Sequence, residues 1–188
     1  MTAAEGARQR LLSSLRQYAL VIGEVRLTSG QTAQYLVDAK RAILRPDGFL
    51  ALSELVAAQA LQWRATAVGG MTMGADPIAC AALAGGAQVK AFFVRKEVKD
   101  HGLARRIEGP DLAVEDRCML VEDVVTTGGS TIRALEAVRA EGHEVCGVLA
   151  ICDRLAGGAQ AIEAAAGAPF HALTTIDEVY PERPDRAC

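Results

Sequence analysis

Residues 118–142 read CMLVEDVVTTGGSTIRALEAVRAEG. An apolar run from Cys118 to Val121 meets two acids, Glu122 and Asp123, and a loop made almost wholly of Thr, Gly and Ser follows at once. The run CMLVED is short, and its residues Cys118 to Val121 are apolar without alternation, the pattern of a strand buried on both faces. Over residues 131–140 the apolar side chains Ile132, Leu135 and Val138 recur on one face of a helix, and Gly142 supplies its stop. A two-sided buried strand, a Gly-rich corner and an amphipathic helix form part of a repeating α/β unit, so the neighbouring sequence decides whether the pattern continues.

It does continue. Downstream, EVCGVLAICDR is a strand, AQAIEAAAG a helix ending at glycine, and FHALTTI a last strand. Upstream, QVKAFFVRK is a strand and ATAVGG a shorter one. PIACAALAGG is a helix that the spacing starts with Asp76 as N-cap and Pro77 in the first turn. DGFLALSELVAAQALQW shows helical spacing, with Leu50, Leu55, Val56 and Ala60 on one face. Alternating strands and helices predict an α/β fold with a mostly parallel central sheet flanked by helices. The segment VIGEVRLTSGQTAQYLVDAK breaks that rhythm as two short strands about a Ser29-Gly30 turn. With the helix before it, it predicts a small N-terminal helix/hairpin lobe. No repeat or linker divides the chain, and the expectation is a single domain over residues 1–188.

In an open α/β sheet, ligands gather at the carboxyl ends of strands. The corner over residues 126–130 leads into a helix whose first N–H groups lack partners within the helix, and those donors with the helix dipole favour a phosphate. Gly128 and Gly129 let the backbone wrap closely, and Thr126, Thr127 and Ser130 add hydroxyl donors. Carboxylates repel phosphate, so Glu122 and Asp123 must serve another part of the ligand. Two acids suit the vicinal hydroxyls of a ribose, and the whole suits a ribose 5-phosphate. The loop lacks the lysine of a P-loop and is no G-x-G-x-x-G. An ordinary strand–loop–helix corner with a Ser/Thr cap is the competing reading, and an unpaired buried carboxylate would be costly there.

Composition narrows the classes. Net charge is −3 and aromatics make up 4%, which argues against a nucleic-acid surface or a base-stacking platform. No apolar run is long enough to span a membrane. MTAAEGARQRLLSSLRQYAL reads as an amphipathic helix carrying Arg8, Arg10 and Arg16, unlike a signal peptide, so the expected location is the cytoplasm. The five cysteines, Cys80, Cys118, Cys146, Cys152 and Cys188, are scattered without a C-x-x-C pair, which argues against a zinc site or a disulfide framework.

MLVEDVVTTGGST resembles the phosphoribosyl-diphosphate (PRPP) motif of type I phosphoribosyltransferases. The resemblance implies that fold, and PRPP contacts from Glu122, Asp123, Val124, Val125, Thr126, Thr127, Gly128, Gly129 and Ser130, the acids on the ribose and the loop on the 5-phosphate. FFVRKEVKDHGLARRIEG, residues 92–109, is similar to the hood loop of the orotate phosphoribosyltransferase family, F-x-x-R-K-x-x-K-x-H-G, and meets every position of it. The segment is long, polar and Gly-containing, suited to closing flexibly over a site. By resemblance Arg95, Lys96, Lys99 and His101 bind the pyrophosphate, Lys99 as the main catalytic cation. In that family the loop's lysine and histidine reach into the neighbouring subunit's site, which implies a homodimer. ICDR resembles the family's strand–Asp–Arg element, so Arg154 would meet the pyrimidine with Thr126 as a second contact.

VRLTSGQTAQYLVDA and GGMTMGADPIA also resemble family segments, with Thr28 and Met73 where some members carry lysine and Gln31 where arginine is frequent. The implied reaction joins orotate to PRPP and releases pyrophosphate, with magnesium (Mg2+) arriving on the substrate rather than in a protein cage. The chain offers no nucleophile paired with a base, so catalysis would rest on positioning and electrostatics. A phosphoribosyltransferase for another base is one alternative; a PRPP-sensing binding module is another, from a different class.

Overall fold

The computed structural model describes residues 2–26, 32–97 and 106–186. Helix α1 (Ala3–Tyr18) is capped by Thr2, whose hydroxyl accepts the Glu5 N–H at 3.2 Å. Strands β1 (Leu20–Arg26) and β2 (Thr32–Val37) pair antiparallel as a sheet of their own. Helices α2 (Lys40–Ile43) and α3 (Pro46–Gln62) lead to the main sheet. Its elements are β3 (Ala67–Met71), α4 (Asp76–Ala84), β4 (Lys90–Val94), β5 (Ile107–Glu108), β6 (Arg117–Val125), α5 (Gly129–Ala140), β7 (Glu144–Asp153), α6 (Gly158–Ala166) and β8 (Phe170–Thr175), with α7 (Ile176–Val179) after it. The strand order is β5-β4-β3-β6-β7-β8. All neighbours are parallel except β4 and β5.

Alternation along β6 explains the layers. Cys118 and Leu120 join the apolar cluster that holds α5 and α6, while Met119 and Val121 join the one that holds α1, α3 and α4. Both clusters are closed to water, and each large apolar side chain buried there contributes about 1.5–3 kcal/mol. The fold is thus the α/β arrangement expected, a mostly parallel sheet covered on both faces. The N-terminal helix and hairpin stand outside the sheet, and the buried residues of α1 (Ala7, Leu11, Leu12 and Leu15) pack into the same cluster as α3.

Several local expectations change. Asp76 is not an N-cap: Ala75 is already in right-handed helical conformation (φ −76°, ψ −25°), so the helix takes up Asp76 as its first residue, and the carboxylate instead accepts the Thr72 hydroxyl at 2.6 Å. Leu50 is 62% exposed, because α3 turns Ala51, Leu52, Leu55, Val56 and Ala60 to the core. The polar segment after β4 contains the two-residue strand β5, too short to show a period. Helix α5 does stop at Gly142 (φ 90°). The Gly142 N–H donates to the Arg139 carbonyl and the His143 N–H to the Val138 carbonyl, a Schellman closure.

Strand order locates the site. From β3 the chain moves outward through α4 to β4, then returns to place β6 on the other side of β3 and continues to β7 and β8. The order therefore reverses between β3 and β6, and the crevice at their carboxyl ends is where such sheets hold ligands. The loops that leave there are residues 72–75 and 126–128.

Candidate active site

Strand β6 runs on to Val125, two residues past the CMLVED segment that the sequence marks as strand, and the two acids lie within it and leave on opposite faces. Glu122 points towards α5. It is 6% exposed, accepts the Thr131 hydroxyl at 3.0 Å, and has the Asp123 N–H at 3.3 Å. Burial first, and the Asp123 carboxylate second, push its carboxyl up to about 7. Asp123 points towards β3 and the hairpin. One oxygen accepts the N–H of Val124 at 2.8 Å; the other is 3.1 Å from Lys40 Nζ, which also lies 2.9 Å from Asp38. Burial alone would lower the Lys40 pKa, but the two carboxylates raise it, so the ammonium is retained.

The loop after β3 comes against this acid without a side chain between them. A Cβ on Gly74 would lie 2.7 Å from an Asp123 carboxylate oxygen. The peptide between Thr72 and Met73 is cis, and Met73 is 73% exposed. Asp76 Oδ1 is buried without a hydrogen-bond partner beside the same loop.

After β6 the chain turns through Gly128 at φ 83°, a left-handed conformation that glycine adopts freely. No side chain caps α5, so its first N–H groups face outwards unpaired by any cap, between exposed Thr126 and Thr127 and half-buried Ser130. A Cβ on Gly129 would meet nothing within 4 Å, so the mouth of the corner is open. Backbone donors, hydroxyls and open space in one concavity suit a phosphate. The expected phosphate loop and both acids are thus together at the crevice, with Val124 half-buried and Val125 buried at the strand end.

Arg154 follows β7 directly, and its N–H donates to the Val125 carbonyl at 2.8 Å, which sets it beside the corner. Its side chain is not in a strand-end pair with Asp153, whose carboxylate accepts the Leu155 N–H at 2.9 Å. Instead the guanidinium donates to the Tyr35 hydroxyl at 2.9 Å and lies 4.8 Å from the centre of that ring. Burial, then the hydrogen bond to Asp185, raise the Tyr35 pKa.

Arg95 pairs with Glu108 at 3.3 Å, and Lys96 is exposed. The Arg95 N–H donates to the Arg106 carbonyl at 2.9 Å, and the Arg106 guanidinium donates back to the carbonyls of Arg95 and Lys96. Lys99 and His101 lie outside the described residues, as do Thr28, Gln31 and the Ser29-Gly30 turn. Cys118 and Cys152 are buried, with thiols pushed up to about 12 chiefly by burial, and so are inert as nucleophiles.

Sequence reasoning missed Lys40, Tyr35 and Asp185. Lys40 sits 83 residues from Asp123 and Tyr35 sits 119 from Arg154, separations that leave no local pattern. The one local signal was the run TAQYLVDAK, a strand-like apolar stretch from Tyr35 to Val37 followed at once by Asp38 and Lys40.

Known proteins resemble the chain in sequence and in fold. No protein-family model matches the chain. The orotate phosphoribosyltransferase of Corynebacterium glutamicum (strain R) is 42% identical over 174 residues, covering 92% of this chain and 94% of the relative. That of Streptomyces avermitilis is 43% identical over 179 residues, covering 93% and 98%. Among solved structures, the Mycobacterium tuberculosis H37Rv orotate phosphoribosyltransferase in complex with PRPP superposes with a TM-score of 0.78 at 34% identity, covering 92% of this chain and 98% of that one. Identity at this level, along nearly the whole of each chain, reaches well beyond the motif at the crevice, and the chain belongs to the orotate phosphoribosyltransferase family.

Proposed function

We infer that the chain transfers the 5-phosphoribosyl group of PRPP to orotate, giving orotidine 5-monophosphate and pyrophosphate, in de novo pyrimidine (UMP) biosynthesis. The observation that carries this is the uncapped corner at residues 126–130, open at the sheet's reversal point and flanked by Glu122 and Asp123. Family membership supports the base.

In this reading the 5-phosphate takes the N–H groups of the corner and the hydroxyls of Thr126, Thr127 and Ser130. Glu122 and Asp123 accept from the ribose hydroxyls and stabilise the positive charge that grows on the sugar as its bond to pyrophosphate breaks. Lys40 holds Asp123 in place through their ion pair at 3.1 Å. Arg95, Lys96, Lys99 and His101 take up the charge of the departing pyrophosphate, with Lys99 as the main cation, while Arg154 and Thr126 hold the pyrimidine. The chemistry is positioning and electrostatics, with no covalent intermediate. Among the described residues no group of three or more His, Cys, Asp or Glu is arranged to hold a metal ion, and the second oxygen of Asp123 is taken by Lys40. Magnesium would arrive on PRPP oxygens and would there neutralise phosphate charge.

The same reading makes the chain a single domain that works as a homodimer in the cytoplasm, with hood-loop residues serving the neighbouring subunit. Among the described residues no helix is long and apolar enough to cross a membrane.

The test is loss of orotate absorbance with PRPP and magnesium, run beside adenine, uracil and hypoxanthine. Orotate alone should be consumed. PRPP binding without consumption would overturn the reading in favour of a binding module. Lys99→Ala should lower turnover roughly 10²–10³-fold, by analogy with losing one preorganised donor.

A further inference from the structure

The side chain of Arg154 is fixed by residues from both ends of the chain. Its guanidinium donates to the Tyr35 hydroxyl at 2.9 Å; that hydroxyl lies 3.0 Å from both oxygens of Asp185 and donates to them. Asp185 is itself 3.9 Å from Arg154 and 3.2 Å from Arg183, and Arg183 also pairs with Asp177. The Tyr180 ring meets the Tyr35 ring edge-on at 5.3 Å. Tyr35 is 3% exposed and the Arg154 side chain 17%, so this is a built wall with one charged fork at its surface.

We propose that Asp185, acting through Tyr35, is a positioning residue for Arg154, and that the C-terminal segment thereby helps determine affinity for the pyrimidine. The proposal rests on the reading that Arg154 meets the pyrimidine. A free arginine must give up rotamer freedom to present its planar fork to a ligand; here that ordering precedes binding. The donors run one way, Arg154 to Tyr35 to Asp185, so each bond polarises the next. The hydroxyl of Tyr35 is the link, and the carboxylate orients it as an acceptor towards Arg154.

The test compares Tyr35→Phe, Asp185→Asn and the double variant with Arg154→Lys, using steady-state kinetics for both substrates and thermal melting. Tyr35→Phe should raise the orotate KM roughly three- to tenfold, the size expected for losing one hydrogen bond. Asp185→Asn should raise it less, and the double variant no more than Tyr35→Phe, because both act on one guanidinium. The PRPP KM, kcat and the melting temperature of Asp185→Asn should stay at parental values. Equal rises in both KM values, or additive effects in the double variant, would overturn the proposal. If Arg154→Lys raises the orotate KM while both wall variants match the parent, the proposal falls alone. If Arg154→Lys leaves that KM unchanged, the assignment of Arg154 to the pyrimidine falls first.

Discussion

Two strand-to-helix corners lie side by side at the carboxyl ends of neighbouring strands with almost the same backbone. After β6 the chain turns through Gly128 at φ 83° into α5; after β7 it turns through Gly157 at φ 87° into α6. Each strand carries an aspartate at or near its end, and neither helix has a side-chain cap. They differ in what surrounds that backbone. The first corner offers Thr126, Thr127 and Ser130 and leaves Gly129 facing open space. The second offers Leu155, Ala156 and Ala159, and turns Asp153 inwards onto the Leu155 N–H. Its Gly158 is packed under its neighbour, where a Cβ would lie 2.5 Å from the Thr126 carbonyl oxygen. A helix N-terminus with two glycines is therefore not a site in itself. One corner is open and lined with hydroxyls; the other, past Arg154, is the apolar buttress beneath it.

The sharpest way to break this contrast is to remove each aspartate. Asp123→Asn should lower kcat/KM for PRPP roughly 10²–10³-fold, the scale of losing a group that acts on developing charge. Asp153→Ala should leave kcat/KM within a few-fold and instead lower stability by about 1 kcal/mol in chemical denaturation, one lost hydrogen bond. Comparable kinetic losses would erase the distinction between surface and buttress.

Glu122 sharpens it through pH. Its carboxyl titrates near 4.5 when unfolded and at about 7 when folded, so the native state holds the proton more tightly. Stability from this group is present below about pH 4.5 and is lost as pH rises through about 7, by up to a few kcal/mol. Glu122→Gln should remove that loss, melting higher than the parent at pH 8 while turning over more slowly. A melting profile unchanged by the substitution would show that the acid is not poised in this way.

The smallest expected effects separate the two glycines of the ligand corner. Gly128→Ala should destabilise by about 1–2 kcal/mol, because φ is positive and the new Cβ would sit 2.9 Å from Ile162. Gly129→Ala should melt no lower than the parent yet raise the PRPP KM, since the methyl enters the space left open for the phosphate. A parental PRPP KM in that variant would place the phosphate elsewhere.

Much of this was legible in the sequence where the physics is local. The strands and helices of the sheet follow from runs of apolar residues and their period, and the ligand corner from acids, hydroxyls and glycines in one stretch. What escaped depended on distance or on competition. Leu50 fits a helical face by spacing, but the neighbours of α3 decide which face is buried. Asp76 has the composition of a cap, yet the turn before it is already helical. The strand reading already sends the adjacent acids to opposite faces, but the partners waiting there, Thr131 of α5 for Glu122 and Lys40 for Asp123, depend on how those elements pack. Nothing near Arg154 announces Tyr35 or Asp185.

The antiparallel clasp of β5 on β4, with Arg95 and Arg106 bonded to each other's carbonyls, pins both feet of the hood segment to the sheet edge. The clasp is, in effect, a single doorway: the chain leaves the sheet after Arg95 and re-enters it at Arg106 through one point beside β4.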